Sequence, residues 1–162
     1  MNTMPTESMR LRQEARGFSI AELLVVLAII GIAVAVGIPL ANEQVRAAKA
    51  RSAADQLSMD IKAARMIAVS TRSNGLDMVV MPQPDNYYEY PDNKGNTRHI
   101  DMPNGVRITS SDSPITFRLN GSLDAAATTI IEIDLTAGII ERWTVSTNLL
   151  GVSTTKRERV SS

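Results

Sequence analysis

The chain has no cysteine and one histidine, His99, among its 162 residues. Without cysteine there is no disulfide, no thiolate nucleophile and no cysteine-based metal site. His99 sits between Arg98 and Ile100 and reads as a strand residue; no Ser/His/Asp set can be drawn around it. No glycine-rich phosphate loop opens a helix after a strand. Asp92-Asn93-Lys94-Gly95-Asn96 lacks the later bidentate acid that a calcium loop needs, so it reads as a turn. Net charge is zero, which gives no general case for nucleic acid. These absences argue against an enzyme, and no cofactor or metal is expected. Charge is also missing locally: the 19 residues from Leu23 to Ala41 carry none.

That uncharged run belongs to the most informative segment, RGFSIAELLVVLAIIGIAVAVGIPLA, from Arg16 to Ala41. A short charged leader precedes it. At about 1.5 Å per residue in a helix, the run nearly matches a bilayer core of roughly 30 Å. One acid, Glu22, stands at its start, where a carboxylate is costly unless it has a partner.

The segment resembles the type IV pilin-like class, the pilins and pseudopilins, over about Arg16 to Ala54. In that resemblance Gly17 precedes the prepilin peptidase cut, Phe18 becomes an N-methylated amino terminus, and Glu22 is the family's glutamate at the fifth mature position. Pro39 stands where these helices commonly carry a proline. The arrangement differs from a secretory signal, whose apolar core precedes the cleavage site. A cut after Gly17 would leave the apolar core in a membrane-anchored product of 145 residues. Its new amine and Glu22 carry opposite charges. They lie about one turn apart in one helix and can pair directly between staggered neighbouring helices, which in the family is thought to guide subunit addition.

The helical pattern continues past the membrane segment. Gly31, Gly37 and Pro39 weaken it locally, and Pro39 predicts a kink or loosened turn because it removes a donor and clashes one turn back. Beyond it, Ala50, Ala53, Ala54, Leu57, Ile61, Ala64 and Ala68 recur at steps of three and four as one apolar stripe. Arg46, Lys49, Arg51, Asp55, Asp60, Lys62, Arg65 and Arg72 lie mostly off it. Ser73-Asn74-Gly75 is a helix stop. Residues 42–75 hold six basic and three acidic side chains, against eight and eleven in 76–162. The basic stretch reads first as a solvated face and second as a contact with anionic headgroups.

From Leu76 the period changes. LDMVVM, YYEY, TRHIDM, VRIT, ITFRL, TTIIEIDL and IIERWTVS are short runs rich in β-branched and aromatic residues, separated by turn compositions such as PDNKGN, PNG and NGS. Ile131, Ile133 and Leu135 alternate with Glu132 and Asp134, and Trp143 and Val145 share a face opposite Arg142 and Thr144. The expected fold is α+β: a long amino-terminal helix, membrane-spanning first and amphipathic second, packed by its distal half on about seven antiparallel strands in one sheet or two. The expected divisions are a leader at 1–17, an assembly helix at 18–41, an amphipathic helix at 42–75 and a β-rich head at 76–162.

The head resembles the GspH/FimT type through ITFRLNGSLD and ERWTVSTNLLGV, with Phe117, Gly121, Trp143 and Gly151 carrying the likeness. That resemblance implies a minor pseudopilin of a type II secretion system. Its partners would be other pilins or pseudopilins, prepilin peptidase, inner-membrane lipid and the inner-membrane assembly platform. The chain would cross the inner membrane of a Gram-negative bacterium once, with its head in the periplasm. The alternative is a FimT-like minor pilin of a type IV pilus that binds DNA for uptake. In the tail GVSTTKRERVSS, Lys156, Arg157 and Arg159 supply three cations for phosphates, but no aromatic lies among them for base stacking. The glycine-arginine pattern of DNA-binding members is missing after Gly151, and the plainer reading of the tail is a frayed, soluble terminus.

Overall fold

One helix, α1 (Ile20–Thr71), runs without interruption through Gly31, Gly37 and Pro39. The computed structural model describes residues 18–135 and 138–161; the leader with Gly17, and Thr136–Ala137 of an expected turn, lie outside them. The Pro39 ring is outside the described side chains, although its backbone is helical. The chain divides between Ile38 and Pro39 into two compact units. In the first, the helix is long and apolar enough to cross a membrane, and none of that window is buried within the chain.

The second unit contains the rest of α1 and eight strands. All seven residues of the apolar stripe, Ala50 to Ala68, are buried. The helix closes at Thr71, just ahead of Ser73-Asn74-Gly75. Arg72 adopts a left-handed conformation (φ 50°). Ser73 N–H then donates to the Ala68 carbonyl at 3.0 Å, and Arg72 N–H to that of Val69 at 3.4 Å. These are the two bonds of a Schellman closure, made here without glycine.

The strands are β1 (Leu76–Met81), β2 (Tyr87–Pro91), β3 (Thr97–Asp101), β4 (Val106–Ser111), β5 (Ile115–Phe117), β6 (Ala127–Asp134), β7 (Ile139–Thr147) and β8 (Ser153–Ser161). They form two four-stranded sheets, ordered β3-β2-β1-β5 and β4-β6-β7-β8. Every strand pairing is antiparallel. The expected α+β class and two-sheet option are found, and seven of the strands fall on the seven runs. Alternation works as read: Ile131 and Ile133 are buried with Val145 on one side of their sheet. Glu132, on the opposite face, is buried as well because Arg142 lies 2.6 Å and Arg107 3.9 Å from its carboxylate.

The frayed terminus is not found. Residues 153–161 form β8, which pairs with β7 at all nine positions from Thr147↔Ser153 to Ile139↔Ser161. Its residues are largely exposed, so no apolar alternation marks it. A charged edge strand looks like a soluble tail in sequence because charge is also what protects a sheet edge.

Two turns fix the ends of strands. Asp92 Oδ1 accepts the N–H groups of Lys94 at 2.7 Å and Asn96 at 2.9 Å, which tightens the β2–β3 hairpin. The Asn96 bond first, with that of Lys94, holds the Asp92 carboxyl below the usual range. Asn86 (φ 61°) ties the two sheets together. Its Nδ2 donates to the Val106 carbonyl at 2.9 Å, and its Oδ1 accepts from Ile108 N–H at 2.8 Å.

Candidate functional site

The amino-terminal helix begins with a serine cap. Ser19 Oγ accepts the N–H of Ala21 at 3.1 Å and of Glu22 at 3.4 Å, while its carbonyl accepts Leu23 N–H at 3.1 Å. Free N–H groups at a helix start are thereby satisfied. Ser19-Ile20-Ala21-Glu22 has the residue order of a capping box. Glu22 is the acid of the first turn, where the helix dipole favours negative charge. This gives Glu22 a local reason to stand at the head of an apolar run, and the Ser19-x-x-Glu22 spacing is its signal in the sequence. Phe18 lies outside the helix and is 82% exposed; Glu22 is exposed too. Among the described residues, no cation pairs with Glu22, so its charge is open to a partner.

The three tail cations do not act as a group. Strand alternation sends Lys156 to the face of Thr144 and Arg142, and Arg157 and Arg159 to the face of Trp143 and Glu141. Glu141 is only 1% exposed. Its Oε1 accepts from Trp143 Nε1 at 2.9 Å, and its Oε2 lies 2.7 Å from Arg157 Nη2 and 3.5 Å from Arg159 Nε. The Arg157 guanidinium also stands 5.8 Å from the centre of the Trp143 ring. A buried carboxylate therefore orients both arginines. It neutralises one charge of the two, and their side chains remain 46% and 52% exposed. A cleft of about 290 Å³ opens here, walled by Ala47 and Ala48 of α1 and by Glu141, Trp143, Arg157 and Arg159.

Asp60 is a further buried carboxylate. Asp60 was grouped with the charges lying mostly off the stripe, yet it is only 4% exposed. It accepts Tyr88 Oη at 2.6 Å, Tyr90 Oη at 2.8 Å and Gln56 Nε2 at 2.9 Å. Burial first, then the bond to Asp60, pushes the Tyr90 hydroxyl up to about 12 and that of Tyr88 further in the same direction. The signal was available: Asp60 follows Leu57 by three and precedes Ala64 by four, and Tyr88 and Tyr90 share one face of β2.

Two glycine turns of the head meet in space. Gly121 (φ 77°) and Gly151 (φ 73°) both turn through the left-handed region. A Cβ on Gly151 would run into the Gly121 carbonyl oxygen and the Arg65 side chain. Arg65 Nε donates to that same carbonyl at 3.0 Å. Phe117 is fully buried, and Trp143 borders the cleft.

Residues 12–38 match the prokaryotic N-terminal methylation motif, a type IV pilin-like signal. No curated protein and no solved structure matches the chain. Together with the apolar helix, the motif fits an inner-membrane-anchored pilin and implies processing by prepilin peptidase and assembly with other pilins.

Proposed function

We propose that the protein is a minor pseudopilin of a type II secretion system: a non-catalytic subunit of a short periplasmic filament that helps export folded proteins. The observation that carries this reading is the methylation motif, seated on an apolar helix whose residues find no cover within the chain. Cleavage after Gly17 frees the amine of Phe18, which becomes methylated. Residues 18–41 hold the protein in the inner membrane of a Gram-negative cell and later pack among other subunits. Glu22 meets a neighbour's amine there, and the head beyond it faces the periplasm. The minor-subunit assignment draws support from the close approach of the Gly121 and Gly151 turns. The FimT-like alternative, DNA uptake, is disfavoured because Lys156 faces away from Arg157 and Arg159, so the three tail cations do not form one phosphate-binding row.

Gly17→Glu is expected to leave the leader attached, read as a slower band and an intact amino terminus by mass spectrometry. Processing of this variant like the wild type would refute the cleavage assignment. Glu22→Ala is expected to be cleaved normally yet fail to enter filaments, and normal secretion from that variant would refute the charge role.

A further inference from the structure

We infer that the cleft between α1 and the last two strands holds an anionic phospholipid headgroup, with Arg157 and Arg159 contacting its phosphate. The inference rests on the membrane-anchored reading above and gives two of the tail cations a ligand.

Three observations converge on it. The first is position. The helical wall of the cleft runs from Glu43 to Arg51, directly after the uncharged run that ends at Ala41. At about 1.5 Å per residue these positions stand roughly 3–15 Å beyond Ala41 along the helix. A headgroup layer is about 5–8 Å deep on each side of the hydrocarbon core, comparable with the helical rise from Ala41 to the first of these positions. The second is charge. Arg51, Arg157 and Arg159 border the cleft against Glu43 and Glu141. Glu141 fixes both tail arginines from beneath and leaves their outer N–H groups toward solvent. A guanidinium held in place loses little freedom on binding phosphate and matches its geometry. The third is chemical character. Ala47, Ala48 and the Trp143 ring make part of the wall apolar. A volume of about 290 Å³ admits a phosphate together with several waters.

Trp143 is the only tryptophan, so its emission reports on the cleft alone. The full chain is reconstituted in phosphatidylcholine vesicles, with and without phosphatidylglycerol, and flotation is measured in the same samples. Phosphatidylglycerol is expected to shift Trp143 emission to shorter wavelength and protect it from acrylamide, and 0.5 M salt to reverse both. Each arginine removed, in Arg157→Gln and Arg159→Gln, is expected to raise the phosphatidylglycerol fraction needed for half the response about fivefold. The lysine variants should keep most of it. If Arg157→Gln does not fold, Arg159→Gln still decides, since its contact with Glu141 is the longer at 3.5 Å.

Equal emission in both vesicle types overturns the inference, as does an undiminished response in Arg159→Gln. Reproduction of the response by inorganic phosphate in phosphatidylcholine vesicles would assign the cleft to a free anion instead. A response to an oligonucleotide without anionic lipid would assign it to DNA. Failure of the chain to float with either vesicle removes the anchor reading as well, whereas flotation without any Trp143 response removes this inference alone.

Discussion

Three carboxylates are buried among the described residues, and two of them, Asp60 and Glu141, are satisfied by opposite means. Asp60 projects from the helix and is met by neutral donors, two tyrosine hydroxyls and an amide. Glu141 projects from the sheet and is met by two cations and an indole. Neutral donors leave the Asp60 group nothing further to offer, so it joins helix to sheet and ends there. Cations leave the Glu141 group with surplus positive charge, held in a fixed geometry and half exposed. The first arrangement stabilises; the second presents a surface. A burial value alone would not separate them, because both acids are almost wholly enclosed.

The comparison predicts an order of stability effects, read by urea unfolding of the full chain in micelles with Trp143 fluorescence. Asp60→Ala should cost most, about 3 kcal/mol, because two buried hydroxyls lose their acceptor. Glu141→Ala should cost less, about 1–2 kcal/mol, since the half-exposed arginines regain water. A larger loss for Glu141→Ala than for Asp60→Ala would break the distinction.

Alkaline pH sharpens it. Tyr88 and Tyr90 hold their protons more tightly in the folded protein than the ordinary value of about 10, Tyr90 up to about 12. The unfolded chain therefore ionises first. The stabilisation is complete below about pH 10 and is lost as pH rises from there through the folded value, by up to about 1.4 kcal/mol per pH unit for each tyrosine. Tyr90→Phe should flatten this dependence, and an unchanged slope above pH 10 would count against the Asp60 cluster. The smallest effect is expected for Arg159→Gln, below about 1 kcal/mol and fading with salt. A loss that persisted in high salt would mean that Arg159 is held like a core group.

Much of this was readable beforehand, where a pattern has a single physical cause. The stripe from Ala50 to Ala68 was complete because each residue meets the same apolar surface. Strands with one buried face, such as β6 with Ile131 and Ile133, show their period. β8 was missed because its inner face meets a charged cleft rather than a core. Thr155, Arg157 and Arg159 therefore alternate with residues no more polar than themselves. Asp60 and Glu141 were missed for a related reason: an acid among apolar neighbours is identified only once its distant donors are known. Glu141 stands two residues before Trp143 and shares its face, but its arginines arrive from a different strand. At the amino terminus the motif was plain in the residues themselves, as was Ser19-x-x-Glu22, whose capping role went unread.

The meeting of Gly121 and Gly151 decides where this protein will accept a larger residue. With Arg65 wedged against both turns, a side chain at residue 151 has no room, and it would pry the last strand from the helix. At the hairpin tip, by contrast, nothing lies within 4 Å of an added carbon at Gly95, so there only the left-handed backbone (φ 84°) resists a side chain.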